Sequence, residues 1–287
     1  MRTFLLLLLV FCFCCLITGG FLLLWGYNYI TRDLPRLNNI SDYKPPAVSK
    51  LYAGDGTLLA EEYSERRYPV KLADVPVYVR NAFLASEDAS FYAHPGIDPI
   101  SIVRAFIKNI RQGSVRQGGS TITQQVVKNL VLTGERKIER KIKEAILAHR
   151  IEQRLSKDEI LEIYLNQIFL GNKAYGIRSA ANLYFHKEVK DLTLGEAAIL
   201  AGLPQAPSRY SPVTNLPQAK KRQKYVLEQM VQASFINEAA AKAAAEEELK
   251  VFWASSSSVY RAPYFVADVL KLFEKRWKDL NVKTDGL

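Results

Sequence analysis

The chain opens with a long apolar run. Residues Phe4 to Trp25 include no charged side chain, and about 20 apolar residues suffice to span a bilayer as a helix. Arg2 precedes the run, as is usual at the cytoplasmic end of a first membrane helix. A cleaved signal peptide is the alternative, but the first alanine is Ala47, so no Ala-x-Ala cleavage site follows the run. The pattern predicts an uncleaved membrane anchor over residues 1–31.

The pattern changes twice after the anchor. Residues 32–47 are polar and contain prolines, which is typical of a tether. Two short apolar runs then flank Gly54-Asp55-Gly56, and this arrangement indicates a β-hairpin. We expect a small β element at the start of the extramembrane part.

The pattern after the hairpin predicts helices. Asp98 and Pro99 combine an N-cap with proline at the first helical position. Residues 110–120 are glycine-rich and basic and indicate a mobile loop. Ser120 or Thr121 then begins a helix whose four-residue repeat of apolar positions should face the core: Ile122, Val126 and Leu130.

Further helix starts carry their own signals. Ser156 with Glu159 and Thr193 with Glu196 are capping-box pairs. Pro217 opens another helix, and residues 237–249 are helical by intrinsic propensity. The chain is therefore predicted to be mainly α.

Composition adds a preference for anionic partners. The 287 residues have a formal net charge of +10, which favours nucleic acid, acidic lipid headgroups or phosphorylated substrates without choosing among them. All three cysteines lie within the anchor segment, and the three histidines are scattered. A disulfide outside the anchor is thereby excluded, and a histidine-based metal site is not expected.

Two adjacent acids, Glu87 and Asp88, end an apolar run and precede Phe91 and Tyr92. A partly buried carboxylate has its pKa raised by desolvation, which suits a general base or acid. His94 precedes a Pro-Gly turn and is expected to be a structural hydrogen-bonding residue rather than a catalyst.

The stretch from Gly118 to Asn129 places a helix start behind two glycines, an arrangement that attracts anions. Thr121, Gln125 and Lys128 share a polar stripe, and Gln124 lies beside it. A capped helix with a solvated face fits the same pattern.

Positive charge concentrates directly after this helix. Between Lys128 and Arg154 there are eight basic and four acidic residues. Arg136, Arg140 and Glu144 lie on one helical row, and Lys141 neighbours Glu144. Arginine forks and lysine ammonium groups suit a phosphate or pyrophosphate, although a salt-bridged surface helix is the alternative. The next helix, from Ser156, has a broad apolar face, and Glu162 on it is compatible with a structural salt bridge or hydrogen bond.

These stretches, in this order, resemble the peptidoglycan glycosyltransferase domain of class A penicillin-binding proteins, glycosyltransferase family 51. The family pattern E-D-x-x-F-x-x-H-x-G matches from Glu87 to Gly96, and G-G-S-T-I-x-Q-Q-x-x-K-N matches Gly118 to Asn129. R-K-x-x-E matches Arg140 to Glu144, and I-L-E-x-Y-L-N matches Ile160 to Asn166. A fifth pattern fits from Arg222 to Met230, except that Gln223 replaces its second arginine.

The resemblance implies a mainly α, lysozyme-like glycosyltransferase domain with a smaller jaw subdomain, a short N-terminal β element and one N-terminal transmembrane helix. It places this domain at residues 48–250. Residues 251–287 resemble the start of a connector to a transpeptidase domain that this chain does not contain. We therefore expect a fragment of a bifunctional protein; a naturally short enzyme is the alternative.

The implied reaction is glycan-strand polymerisation, in which the growing lipid-pyrophosphate-linked strand is transferred with inversion to the 4-hydroxyl of lipid II. By family match Glu87 is the catalytic base, and Glu144 is a second essential carboxylate at the donor side. No cofactor is required with certainty, although a divalent cation, Mg or Mn, could act at Glu144. The remaining matched residues are expected to bind substrate: Asp88, Ser120, Thr121, Gln124, Gln125, Lys128, Asn129, Arg136, Arg140, Lys141 and Glu162.

The resemblance also implies the setting. The partners would be lipid II, the lipid-linked strand, the cytoplasmic membrane, a transpeptidase domain and cell-wall synthesis proteins, with no nucleic acid. The catalytic domain would face the periplasm from a single-pass anchor. Two other functions stay open: a peptidoglycan-cleaving, lysozyme-like enzyme, and a non-catalytic cell-wall scaffold. A cleaving enzyme would have no need for the cationic cradle, and loss of Glu87 or Glu144 would have favoured the scaffold.

Overall fold

The computed structural model describes residues 2–32, 34, 48–63, 65–100, 119–131, 137–252, 261–278 and 280–282. The mainly α class predicted from the sequence is confirmed. The body of the helix predicted after Asp98, most of the glycine-rich loop, and Arg136 lie outside the described residues. The predicted domain boundaries stay predictions.

The first helix, α1, spans Arg2–Thr31. Its segment Leu9–Thr31 has a mean hydropathy of 2.3, and none of the apolar segment is buried against the rest of the protein. By length and composition this helix can cross a membrane, in agreement with the predicted anchor.

The predicted hairpin is present. Strand β1, Ser49–Tyr52, pairs antiparallel with β2, Leu58–Glu62, so that Ser49 lies opposite Glu62. Gly56 in the connecting turn has a φ of 82°, a conformation that favours glycine. A second, two-residue pair is parallel and joins β3, Arg66–Arg67, to β4, Ala174–Tyr175.

The extramembrane helices follow in chain order: α2 Val77–Glu87, α3 Ile122–Val131, α4 Lys137–Glu152, α5 Lys157–Gln167, α6 Ile177–Phe185, α7 Leu194–Gly202, α8 Leu216–Gln232, α9 Glu238–Glu246 and α10 Pro263–Arg276. Helix α7 is buried from Gly195 to Gly202. It packs against α2 and α8, while α3 packs against α4 and α5. The helices thus form two groups, α2 with α7 and α8, and α3 with α4 and α5, and the end of α2 contacts the start of α3.

The helix starts agree with the sequence signals. Ser156 and Thr193 each form a capping box with the glutamate three residues later. The apolar face predicted for α5 is fully buried, with Ile160, Leu161, Tyr164 and Leu165 each at most 1% exposed. Ile122 and Val126 of α3 face the core as predicted.

Candidate active site

A cleft of about 390 Å³ opens where the two groups of helices meet. It is formed by the end of α2, the first turns of α3, the middle of α4 and one face of α8. Its walls combine residues predicted as site residues with four that were not: Ser86, Glu87, Ser120, Gln124, Gln125, Lys128, Arg140, Lys141, Glu144, Gln205, Arg222 and Tyr225.

Glu87 is the last residue of α2 and is separated by Ser86 from the buried residues Phe83, Leu84 and Ala85. Gln125 of α3 donates a hydrogen bond of 2.8 Å from Nε2 to Oε2 of Glu87. Burial raises the pKa of the Glu87 carboxyl above its ordinary value, although this hydrogen bond acts in the opposite direction. A carboxylate with a raised pKa is a stronger base and suits proton abstraction near neutral pH.

The neighbouring acid, Asp88, is engaged inside the protein. Both carboxylate oxygens lie 3.0 Å from Nε2 of His94, and Oδ2 also accepts from the backbone N–H of Ile122 at 3.0 Å. Nδ1 of His94 accepts from the N–H of Gly96 at 3.2 Å, so its Nε2 carries the proton and donates to Asp88. His94 is therefore structural, as predicted, and Asp88 connects the end of α2 to the start of α3.

The start of α3 is likewise satisfied internally. Thr121 and Gln124 cap each other: Oγ1 of Thr121 accepts from the Gln124 N–H at 3.1 Å, and Oε1 of Gln124 accepts from the Thr121 N–H at 3.0 Å. The Thr121 hydroxyl also donates to the carbonyl of Gly96 at 2.6 Å. With Asp88 on the Ile122 N–H, the predicted anion site at this helix start already contains a protein carboxylate.

Three of the cationic groups that line the cleft are side chains of α3 and α4. Lys141 donates from Nζ to Oγ of Ser120 at 2.8 Å and to Oε2 of Glu144 at 2.5 Å. Nε of Arg140 lies 3.3 Å from Oε1 of Glu144, close enough for an ion pair but not aligned for a hydrogen bond. Lys128 is exposed on the rim. Glu144, 1% exposed, thus organises the two basic side chains next to it.

Glu162 and Asn129 are predicted site residues that do not line the cleft. Oε2 of Glu162 accepts from the backbone N–H of Leu72 at 2.8 Å, while Asn166 exchanges hydrogen bonds of 2.8 and 2.9 Å with the backbone of Val70. The two side chains hold the segment that leads into α2, which agrees with the structural alternative for Glu162. Asn129 is exposed on α3 and does not line the cleft.

Four cleft residues escaped the sequence reasoning: Ser86, Gln205, Arg222 and Tyr225. Gln205 follows α7, and Arg222 and Tyr225 lie on α8, far along the chain from the acidic pair. The fifth motif was the available signal for Arg222, but it carried no assigned role.

A second cleft of about 530 Å³ continues from the first. The two share Ser86, Glu87, Ser120 and Tyr225, so Glu87 stands at their junction. The second cleft has a different wall, which includes Ser90, Ile97, Gln229 and Phe235.

The described residues contain no group of three or more His, Cys, Asp or Glu side chains that could hold a metal ion by themselves. Oε1 of Glu144 is buried and has no hydrogen-bond partner among these residues. This oxygen lies 3.3 Å from Nε of Arg140, and a cation that took it as a ligand would need its other ligands from a substrate, as is common for Mg²⁺ bound to phosphates.

Comparisons with known proteins identify the family of this chain. A family model described as Transglycosylase matches residues 55–231. Penicillin-binding protein 1A of Neisseria lactamica is 44% identical over 256 residues, covering 88% of this chain and 32% of that protein. Penicillin-binding protein 1A of Vibrio cholerae is 42% identical over 281 residues, 98% of this chain and 34% of that protein.

A solved structure supports the same family. The 2.6 Å crystal structure of penicillin-binding protein 1A from Haemophilus influenzae is similar with a TM-score of 0.51 and 30% identity, over 85% of this chain and 26% of that one. The chain spans about a third of the length of the curated relatives it matches. From the family model and these likenesses, the chain belongs to the transglycosylase family.

Proposed function

We propose that this chain polymerises peptidoglycan glycan strands, transferring the growing lipid-pyrophosphate-linked strand to the 4-hydroxyl of lipid II with inversion at the anomeric carbon. The observation that carries the proposal is the cleft itself. The partly buried carboxylate of Glu87, whose pKa is raised, lines the same cleft as basic side chains of α3 and α4. The proposed transfer needs a base at the acceptor hydroxyl and positive charge at the leaving pyrophosphate of the donor. Both kinds of group line this cleft.

Glu87 is the general base of the proposed reaction. The 4-hydroxyl oxygen of lipid II forms the new glycosidic bond as its proton passes to the Glu87 carboxylate. The bond between the anomeric carbon and the pyrophosphate oxygen breaks, and the electron pair leaves with the pyrophosphate. Gln125 fixes the orientation of the carboxylate through its 2.8 Å hydrogen bond, and such positioning favours proton transfer.

The leaving pyrophosphate is assigned to the basic wall. Lys128, Arg140 and Lys141 line the same cleft as Glu87, and preorganised cations stabilise charge that develops on a departing phosphate. Glu144 holds Arg140 and Lys141 in place through its ion pairs. A divalent cation carried by the pyrophosphate would find one protein ligand in Oε1 of Glu144 and would add further charge stabilisation.

The second cleft is assigned to the acceptor. It begins at Glu87, so a sugar bound there can present a hydroxyl to the base. Its wall includes Tyr225, Gln229 and Phe235, and aromatic and amide side chains of this kind suit a carbohydrate ring and its polar groups. Inversion requires the 4-hydroxyl to attack the anomeric carbon on the face opposite the pyrophosphate, and an acceptor in the second cleft with the pyrophosphate in the first would meet this requirement where the clefts join.

The proposed setting is the periplasmic face of the cytoplasmic membrane. Helix α1 is long and apolar enough to anchor the chain, and a lipid-linked substrate is present only in a membrane. A transpeptidase domain and other cell-wall synthesis proteins remain proposed partners.

Incubation of the detergent-solubilised chain with labelled lipid II tests the proposal. The wild type should form glycan polymer, and Glu87→Gln should form none while keeping its fold. Polymer from both would remove Glu87 from the role of base. Absence of polymer with release of fragments from purified peptidoglycan would instead favour a cleaving enzyme. Absence of both activities would favour a scaffold.

A further inference from the structure

Arg222 reaches the candidate active site from α8, a helix that supplied none of the predicted site residues. Its side chain lines the same cleft as Glu87. Nη2 donates to Oγ of Ser86 at 3.4 Å, and Ser86 is the residue directly before Glu87. Nε donates to the carbonyl of Gly202 at 3.4 Å. The side chain therefore runs from α8 across the end of α7 to the end of α2.

Aromatic rings fix this guanidinium. Its central carbon lies 4.3 Å from the ring centroid of Tyr225 and 5.7 Å from that of Tyr210, within the range of cation–π contacts. We call Tyr210 and Tyr225 the aromatic shelf. Gly202 leaves the space for the side chain, because a Cβ at this position would lie 2.7 Å from Cγ of Arg222.

The charge of Arg222 is not neutralised by a neighbour. Its contacts are aromatic rings, a hydroxyl and a carbonyl, and it forms no ion pair with any described residue. Arg140 and Lys141 differ, since both are paired with Glu144. Arg222 is therefore a cation whose field remains available to groups in the cleft.

Glu87 is the carboxylate in the cleft on which the charge of Arg222 acts. The titratable and charged side chains that surround it or face it across the cleft come from several elements: Asp88 after α2, Lys128 on α3, Arg140, Lys141 and Glu144 on α4, Tyr164 on α5, and Arg222 on α8. Burial raises the pKa of Glu87 first of all, and the charge of Arg222 lowers it while that of Asp88 raises it. A base must be ionised to accept a proton, whereas burial favours the neutral carboxyl.

We propose that Arg222 is a positioning residue of the transfer reaction: the aromatic shelf holds it where it supplies the fixed positive charge that Glu87 requires to act as a base. This inference rests on the proposed function, because it assigns a role within that reaction. The preference for arginine follows from its planar, delocalised guanidinium, which stacks on aromatic rings as a lysine ammonium does not.

The first test is the pH dependence of polymerisation by Arg222→Gln. Removing the positive charge should move the acidic limb of the pH–rate profile to higher pH, with a loss of roughly tenfold at pH 6 and recovery at high pH. Arg222→Lys should move the limb back toward that of the wild type. Lys221→Gln, which removes an exposed charge from the same helix, should leave the profile unchanged.

The second test needs no activity. The carboxyl carbon of Glu87 can be followed by NMR in the full chain labelled at glutamate, with the resonance assigned by its absence in Glu87→Gln. Its titration midpoint should lie at higher pH in Arg222→Gln than in the wild type. An unchanged midpoint would overturn the inference.

The outcomes separate the two proposals. If the wild type forms no polymer, the proposed function and the role of Arg222 in it fall together. If the wild type forms polymer and Arg222→Gln has the same pH profile, only the inference falls. A uniform loss of rate at every pH that lysine does not rescue would also overturn it, because that result indicates a structural role.

Discussion

Gln125 on α3 and Glu87 at the end of α2 are joined by a hydrogen bond of 2.8 Å from Nε2 to Oε2. The bond connects the two groups of helices at the point where both clefts meet. It also favours the ionised form of a carboxyl whose pKa is raised by burial. A single amide thus contributes to both the orientation and the protonation state of the proposed base.

Replacing Gln125 by leucine should raise the pKa of Glu87 further, because the hydrogen bond to the ionised form is lost. Since the base acts only when ionised, the rate of polymerisation should fall as pH drops through this higher pKa. We expect a loss of roughly tenfold at pH 6.5 and a smaller loss at pH 9. Initial rates with labelled lipid II across this range measure the effect. Gln153→Leu, at an exposed glutamine outside the cleft, is the matched control; equal profiles for both variants would contradict the prediction.

Glu87→Gln should stabilise the protein at neutral pH. The folded-state pKa of Glu87 lies above its unfolded value, so its contribution to stability is present in acid and is lost as pH rises through the folded pKa. A neutral amide removes this cost, and we expect a gain of about 1 kcal/mol in the free energy of unfolding at pH 7.5. Denaturant unfolding at pH 7.5 and at pH 4.5 measures it. A gain that is equally large at both pH values would show that charge is not the cause.

The Asp88–His94 pair should be important for stability rather than for substrate affinity. Asp88 is buried and accepts hydrogen bonds from His94 and from the N–H of Ile122. Asp88→Ala should lower the free energy of unfolding by roughly 3 kcal/mol, because it leaves buried donors without a partner. A double-mutant cycle with His94→Ala should give a coupling energy of about 1 kcal/mol or more. If Asp88→Asn instead raised the KM for lipid II with stability unchanged, Asp88 would be a substrate ligand, as the family match implies.

Lys128→Ala should weaken use of the donor more than use of the acceptor. Lys128 is exposed on the rim of the smaller cleft, to which we assign the pyrophosphate, and does not line the second cleft. We expect the KM for a lipid-linked oligosaccharide donor to rise roughly tenfold. Separate titrations of donor and of acceptor measure the two effects, with Lys242→Ala on α9 as an exposed-lysine control. A larger effect on the acceptor would reverse our assignment of the two clefts.

Local patterns predicted the parts of the fold that depend on local energetics. The capping boxes at Ser156 and Thr193, the hairpin around Gly56 and the buried face of α5 each follow from a few neighbouring residues. The acidic pair was also recognisable, because a carboxylate that ends an apolar run is carried toward the core.

Helical periodicity could not reveal what covers a polar stripe. Thr121 belongs to the predicted polar stripe with Gln125 and Lys128, and Gln124 lies beside it, but the structure uses Thr121 and Gln124 as a helix cap. Asp88 occupies the start of α3 because residues 88 and 122, which are distant along the chain, meet in the fold. Arg222 and Tyr225 reach the cleft through the packing of α8 on α2 and α7, which no local spacing encodes.

The ion pair between Lys141 and Glu144 has a consequence for the ionic-strength dependence of ligand binding. A phosphate that approaches Lys141 meets an ammonium group already paired, at 2.5 Å, with a buried carboxylate. Binding there exchanges one anion for another or adds to the pair, and it releases few bound counterions to the solvent. Screening by salt acts mainly on exposed charges. The affinity for a pyrophosphate should therefore decline less steeply with added salt than the number of basic side chains in the cleft suggests.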